Sequence, residues 1–223
     1  ARNNYGDRTA FSMQLTLQYD DGTTEIVTTD ASWQGTIAPV TFSEIYHGEE
    51  YDAALELPGW ADAAAPNAAP AGRWHGVETV TYPAAQLYAQ AAGKVSVRNR
   101  LPAQRIFTTP AGETVVDFGQ NMAGRVEITA TGGPGDVAEL RCFEELDADG
   151  NAYLANLRKA RTIMRYKFAQ PGTVTWHPQF TYMGFRYALV VQWPGTPRAE
   201  NFTAYTLHTA MEPAGQFQCS EPL

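Results

Sequence analysis

Short β-branched and aromatic segments, each bounded by turn residues, fill the second half of the chain. Glycine, proline and aspartate pairs such as Asp149-Gly150 and Pro194-Gly195 separate them, and these residues favour turns. Many short strands at this spacing, without long helices between them, are typical of β-sandwiches. We therefore predict an all-β fold of antiparallel sandwich or jelly-roll domains with little helix. The predicted strands are 95–98, 105–108, 114–118, 125–131, 137–143, 163–168, 173–177, 186–193 and 202–207.

A hairpin is predicted nearer the N-terminus. Apolar and polar side chains alternate from Phe11 to Tyr19, which is typical of a strand with one solvated face. Asp20-Asp21-Gly22-Thr23 follows, and Asp-Gly suits the positive φ of a tight hairpin turn. Residues 24–29 then supply the return strand.

One stretch of helical character separates the two β-rich parts. It runs from Pro83 to Ala92 and is followed by Gly93, a residue that commonly ends helices. We predict a partial jelly-roll sandwich at residues 1–82, a short helix or linker at 83–93, a second sandwich at 94–211 and a lead-in to a further domain at 212–223.

The charge balance excludes two classes of partner. The formal net charge is −8, and no cluster of lysine and arginine follows a phosphate backbone, so neither nucleic acid nor an anionic membrane surface is a predicted partner. No run approaches the roughly 18 apolar residues of a membrane helix, so we expect a soluble protein. The start of the chain shows no signal-peptide pattern. The sequence is compatible with a cytoplasmic location and with a periplasmic or secreted one.

The segment VVDFGQNMAGRVEI, residues 115–128, has the composition of a strand, a tight turn and a second strand. Gly119 and Gly124 bracket the central residues, and glycine permits positive φ or close backbone approach. We assign Asp117, Gln120 and Asn121 to stabilisation of this turn. The alternative is that they face a neighbouring domain.

Three carboxylate doublets are candidates for acid and base pairs: Asp20-Asp21, Glu49-Glu50 and Glu144-Glu145. Neighbouring side chains on a strand point to opposite faces, so none of these doublets converges on one cleft. We predict that they lie at solvated strand ends and turns.

No metal site or cofactor is predicted. The histidines are scattered singly, without HxH, HExxH or CxxC spacing. The segment 147–151 lacks the glycine and glutamate positions of a calcium loop and is predicted to be a turn. Cys142 alternates with Leu140, which predicts a buried free thiol.

Aromatic, arginine and amide side chains make one candidate binding set. Aromatic rings stack on sugar rings, while arginine and amide groups bind hydroxyls. The alternatives, a packed sandwich rim or an interface with another domain, stay open. The candidate residues are Asn156, Arg158, Trp176, Tyr182 and Arg186.

Several segments taken together resemble one family, the bacterial α-L-rhamnosidases, which are inverting glycoside hydrolases. Their order and spacing agree from about residue 20 to the end, and DFGQN followed by FTYMGFRY is the most specific part. The matching segments are SEIYHGEEYDA (43–53), VVDFGQNMAG (115–124), DGNAYLANLRKA (149–160), WHPQFTYMGFRY (176–187) and GQFQCSEPL (215–223).

The resemblance implies accessory concanavalin-like β-sandwiches that precede a catalytic α/α barrel. In the family the catalytic acid and base lie in the barrel, and no residue of this chain matches them, so we expect no catalytic residue here. The implied role is a non-catalytic scaffold for the barrel of the same bacterial polypeptide, whose residues 212–223 lead into it. The whole enzyme would hydrolyse terminal α-L-rhamnose. The alternative is a carbohydrate-binding module for rhamnose-containing glycans.

Two departures from the family pattern replace polar side chains by apolar ones. Ile163-Met164 stands where relatives carry Thr-Asp, and Met183 where they carry His. We expect these positions to pack in the core.

Overall fold

The structure, a computed structural model, describes residues 8–62, 73–81, 88–212 and 214–220. These residues form β-strands and three 3₁₀ turns (Ala53–Leu55, Ala155–Leu157 and Ala199–Asn201), with no α-helix among them. The predicted all-β class is confirmed. The strands are β1 (Gln14–Gln18), β2 (Thr24–Thr28), β3 (Gln34–Gly35), β4 (Val40–Glu44), β5 (Gly48–Asp52), β6 (His75–Gly76), β7 (Val95–Pro102), β8 (Arg105–Thr108), β9 (Thr114–Gly132), β10 (Val137–Phe143), β11 (Glu145–Leu146), β12 (Ala152–Tyr153), β13 (Ile163–Lys167), β14 (Gly172–Trp176), β15 (Met183–Gln192) and β16 (Phe202–Thr209).

The helix predicted at 83–92 lies partly outside the described residues. Residues 88–92 are described, and they lie in neither a helix nor a strand. Within the described ranges no helix is long and apolar enough to cross a membrane.

The chain divides into two compact units. Unit 1 comprises Ala1–Ile37 and Leu57–Ala89, and unit 2 comprises Ala38–Glu56 and Gln90–Leu223. The domain boundaries expected from the sequence stay a prediction. The structure groups residues 38–56 with the later part of the chain because β5 pairs with β13.

Unit 1 contains the predicted hairpin. β1 and β2 pair antiparallel, with Gln14 opposite Thr28 and Gln18 opposite Thr24. Gly22 has φ +84° at the turn, and the Asp21 carboxylate accepts hydrogen bonds from the backbone N–H and the hydroxyl of Thr23. The first strand begins at Gln14 rather than near Phe11. Unit 1 also contains the short antiparallel pair β3 and β6.

Unit 2 is built on one large curled mixed sheet. Its strand order is β4-β5-β13-β10-β15-β9-β16-β7, and β8 and β14 also pair with β9. The pairings within the described sheet are antiparallel except that of β5 with β13, which is parallel. This curled sheet is consistent with the concanavalin-like sandwich that the sequence predicted.

β9 is the longest strand and connects two parts of this sheet. Residues 114–117 of β9 pair with β8, and residues 115–117 and 122–124 pair with β15. The C-terminal part of β9 pairs with β16 and β14. The strand–turn–strand predicted across residues 115–128 is therefore wrong, because the chain continues in one direction through all 19 residues of β9.

The residues predicted to form the turn form a bulge instead. β15 pairs with β9 on both sides of it, with Tyr187 opposite Asp117 and Phe185 opposite Met122. Residues 118–121 therefore face the single residue Arg186 (four positions against one). Gly119 lies in this bulge with φ +85°, a conformation that favours glycine. Glycine and amide side chains serve a bulge as readily as a hairpin turn, so the local signal did not separate the two.

Apolar side chains pack on both faces of the sheet. Because neighbouring side chains on a strand point to opposite faces, Val116 joins the main core cluster and Val115 a smaller one with Phe143 and Tyr187. The main cluster includes Phe118, Val126, Ile128, Met164, Trp176, Met183, Phe185 and Phe202.

The apolar replacements and the predicted thiol behave as expected. Met164 and Met183 are buried in the main cluster, and Ile163 is half-buried. The Cys142 side chain is fully buried and free, and burial raises the pKa of its thiol.

Candidate functional site

The carboxylate at the start of the β9 bulge is buried and surrounded by positive charge. Arg186 Nε lies 2.9 Å from Asp117 Oδ1, and Arg105 Nη2 lies 3.2 Å from Oδ2. The backbone N–H of Gly119 donates to Oδ1 at 2.8 Å. Burial alone would raise the pKa of Asp117, but the hydrogen bonds from Arg186 and Gly119 and the charge of Arg186 outweigh it and lower the pKa. The same pair raises the pKa of Arg186.

The five residues predicted to bind carbohydrate or a domain lie in different environments. Trp176 is buried in the core, with its ring centroid 5.6 Å from that of Tyr166. Arg186 is paired with Asp117. Asn156 Nδ2 lies 3.5 Å from Glu144 Oε2, and Arg158 follows the same 3₁₀ turn with φ +55°. Of the five, Tyr182 lines a groove on the surface of unit 2. The carbohydrate-binding or interface role of the set stays a prediction.

A groove in unit 2 exposes several large apolar side chains, and we call it the aromatic groove. Phe180 is 72% exposed, Val95 60% and Tyr182 45%. The groove encloses about 370 Å³. Its lining combines apolar and aromatic side chains with one cation and small polar groups, a combination that suits either a stacked sugar ring or an apolar protein surface. The lining residues are Val95, Ser96, Val97, Arg125, Gln179, Phe180, Thr181, Tyr182 and Leu207.

A fully buried carboxylate holds the segment that carries these aromatic rings. Glu49 is 0% exposed. Its oxygens accept hydrogen bonds from the backbone N–H groups of Gln179 at 2.9 Å and Phe180 at 2.8 Å. Arg125 Nη1 donates to the carbonyl of Pro178 at 2.8 Å. Burial lowers the pKa of Arg125, and the charge of Glu49 opposes that shift.

The solvated position predicted for Glu49 is therefore wrong. β5 is flanked by β4 and β13 inside the sheet, and Glu49 lies opposite the buried Met164. Its N–H partners are 130 residues or more away in sequence. Sequence reasoning missed this role because no local pattern connects the two segments, although both belong to the segments that carry the family resemblance.

A second concave surface lies beside the bulge, and we call it the amide cleft. It encloses about 230 Å³. Gln120 and Asn121, which were predicted to stabilise a turn, are exposed here. Asn121 Nδ2 donates to Glu144 Oε1 at 3.2 Å. The lining residues are Asn99, Gln120, Asn121, Met122, Ala123, Thr206, Leu207 and His208.

The described acidic, histidine and cysteine side chains do not gather into a metal centre. Among the described residues there is no group of three or more that could hold a metal ion. The segment 147–151 forms the predicted turn, in which Asp147 Oδ1 accepts from the N–H groups of Asp149 and Asn151.

The curled sheet around β9 places unit 2 in the class of concanavalin-like β-sandwiches, and comparison with known proteins identifies the family. Residues 107–208 match the family described as bacterial alpha-L-rhamnosidase concanavalin-like domain. Residues 1–99 match the family described as alpha-L-rhamnosidase N-terminal domain. The chain belongs to the α-L-rhamnosidase family, of which it carries these two domains.

Individual relatives agree with this assignment. The chain is 34% identical over 220 residues to the α-L-rhamnosidase of Streptomyces avermitilis, a match that covers 98% of this chain and 21% of that protein. The crystal structure of the Streptomyces avermitilis enzyme complexed with L-rhamnose is similar with a TM-score of 0.81 and 35% identity, over 92% of this chain and 20% of that one. The native enzyme from Aspergillus terreus gives a TM-score of 0.84 and 32% identity, over 94% and 24%. This chain thus spans about a fifth of the length of the curated relatives it matches.

Proposed function

We propose that this chain is the non-catalytic scaffold of an α-L-rhamnosidase and supports a catalytic α/α barrel in the same polypeptide. The observation that carries the proposal is the match of two accessory-domain families, one after the other, in a chain that spans about a fifth of its relatives. The relatives are longer than this chain and contain further domains.

The buried carboxylates of unit 2 support a structural role. Hydrolysis of a glycoside needs two carboxyl groups that converge on the substrate. Asp117 is engaged by Arg186 and Arg105, and Glu49 is engaged by two backbone N–H groups. Both carboxylates stabilise the fold of this chain, so neither is available as an acid or a base.

In the whole protein we expect hydrolysis of terminal α-L-rhamnose with inversion. One carboxylic acid would protonate the leaving oxygen and one carboxylate would activate water. Both groups would belong to the barrel, and the 223-residue chain alone would be inactive.

The aromatic groove is where we expect the barrel to contact this chain. Soluble domains rarely expose a contiguous apolar patch without a partner, and Phe180, Val95 and Tyr182 are exposed together here. We expect Phe180→Ser to leave the stability of this chain nearly unchanged, because the side chain is 72% exposed and serine adds no charge beside the buried Glu49 carboxylate. In the whole polypeptide the same variant should reduce rhamnosidase activity. Unchanged activity would contradict docking at this groove.

The same exposed rings support a second candidate function, a carbohydrate-binding module. Tyr182 and Phe180 could stack on a sugar ring, with Arg125 and Gln179 beside it. The two functions differ in whether sugar affinity depends on Tyr182.

Calorimetric titration of the purified chain with L-rhamnose and a rhamnosyl disaccharide, together with an aryl-α-L-rhamnoside hydrolysis assay, tests both functions. The scaffold predicts no turnover, and no loss of sugar affinity in Tyr182→Ala. The module predicts saturable binding that Tyr182→Ala weakens and Tyr153→Ala, an exposed tyrosine outside the groove, does not. Turnover by the chain alone would contradict both.

A further inference from the structure

The β9 bulge presents two side-chain amides that the fold leaves available. No described residue hydrogen-bonds to the Gln120 side chain, which is exposed. Asn121 donates through Nδ2 to Glu144, and its Oδ1 has no partner among the described residues. The bulge thus projects polar groups that contribute little to holding the sheet together.

Two more polar side chains with spare hydrogen-bonding capacity line the same cleft. Asn99 Nδ2 lies 3.3 Å from Thr206 Oγ1, and its Oδ1 is unengaged within the described part of the chain. One ring nitrogen of His208, Nδ1, lies 3.0 Å from the Thr209 carbonyl, which leaves Nε2 available. With Gln120 and Asn121, the cleft therefore offers both donors and acceptors.

The residues that line the amide cleft indicate which class of ligand it suits. Among the described residues no lysine, arginine, aspartate or glutamate lines the cleft, and Glu144 beside Asn121 disfavours an anion. Side-chain amides both donate and accept, as sugar hydroxyls do. Leu207 adds apolar surface, and the mostly buried Met122 lies at the base of the cleft. The volume of about 230 Å³ is below the roughly 300–1,000 Å³ of pockets for drug-sized ligands, which suits a single ring.

We propose that the amide cleft binds one neutral sugar ring. Gln120, Asn121 and Asn99 pair with its hydroxyls, and Met122 and Leu207 pack against an apolar substituent such as the methyl group of a 6-deoxyhexose. The choice of a 6-deoxyhexose rests on the rhamnosidase function proposed for the whole protein. The neutral, hydroxyl-bearing class of ligand rests on the residues that line the cleft.

The test is a titration of the ¹⁵N-labelled 223-residue chain with methyl α-L-rhamnoside, followed through the side-chain NH₂ signals of Gln120, Asn121 and Asn99. We expect saturable shifts of these signals. Gln120→Ala should weaken binding about three- to tenfold, the effect of one neutral hydrogen bond. Because the Gln120 side chain bonds to no described residue, this variant tests binding without disturbing the fold. Gln192→Ala removes an exposed amide outside the cleft and should bind as the unaltered chain does.

Two results would overturn the proposal. One is the absence of saturable shifts at the three side-chain amides. The other is a set of shifts confined to the backbone amides of Phe180 and Tyr182. The second result would assign sugar binding to the aromatic groove instead. The proposed scaffold function fails separately, through turnover of an aryl rhamnoside by this chain, and that outcome does not change the titration.

Discussion

Asp117 and Arg186 form a two-point ion pair across adjacent strands at the β9 bulge. Arg186 Nε lies 2.9 Å from Oδ1, and Nη2 lies 3.2 Å from Oδ2. The planar guanidinium matches the carboxylate in this paired geometry. Since Arg186 is the residue that faces the four bulged positions of β9, the pair fixes the strand where it passes from one part of the sheet to the other.

Replacement of the carboxylate should destabilise unit 2. The Asp117 side chain is 4% exposed, whereas that of Arg186 is 38% exposed. The Arg186 guanidinium can therefore be hydrated when Asp117 is removed. The loss of unfolding free energy should stay below the roughly 3–5 kcal/mol of breaking a fully buried pair. We expect Asp117→Ala to lower the free energy of unfolding by about 1.5–3 kcal/mol, measured by urea denaturation.

The matched control for this prediction is Asp149→Ala. Asp149 is exposed in the turn after β11, so its loss should change the stability by less than about 0.5 kcal/mol. Equal effects of the two substitutions would contradict the role of the ion pair. Unchanged stability combined with weaker sugar binding in Asp117→Ala would assign the carboxylate to ligand contact instead.

The same pair predicts a pH dependence of stability. The pKa of Asp117 is lowered in the folded chain, so the unfolded chain binds the proton more tightly. The stabilisation is fully present above the ordinary pKa of aspartate, roughly 3.9, and is lost as the pH falls through the lower folded value. Unfolding free energies from pH 7 to pH 2 should show a difference between the unaltered chain and Asp117→Ala that is constant above about pH 5 and shrinks below about pH 4. A constant difference across the range would contradict this.

Local sequence patterns predicted the bounds of two strands correctly. β8 and β10 have the predicted bounds, Arg105–Thr108 and Val137–Phe143. Their alternating side chains and flanking turn residues lie within a few positions of each strand. The pairing of β5 with β13 joins residues such as Gly48 and Ile163, which are far apart in the chain, and no local pattern encodes it.

The candidate sites were predicted by residue type but not by arrangement. Gln120 and Asn121 were predicted to stabilise a turn, yet a bulge and a hairpin turn use the same glycine and amide signals. Trp176 has the chemistry of a sugar platform, but its burial depends on Tyr51 and Tyr166, which come from other strands. Exposure of an aromatic ring is decided by tertiary packing, which residue type alone does not contain.

The Cys142 thiol should be unreactive in the folded chain. Its side chain is fully buried, and burial raises its pKa, while the thiolate is the reactive form. In a Cys219→Ser variant, we expect no reaction with an aromatic disulfide reagent under native conditions and one thiol per chain in denaturant. Rapid native reaction would mean that β10 opens or that the thiol is accessible.

The buried Glu49 carboxylate should control the order of the segment that carries Phe180. Glu49→Ala removes the acceptor of two partly buried backbone N–H groups, and a donor that is left unsatisfied where water cannot reach it costs roughly 1–3 kcal/mol. We expect lower stability and faster hydrogen exchange at the amides of Gln179 and Phe180. The neighbouring Glu50 forms a more exposed ion pair with Arg161, so Glu50→Ala should cost at most about 1 kcal/mol and leave that exchange unchanged. Equal exchange in the two variants would show that the segment is held by other contacts, among them the bond from Arg125 to Pro178.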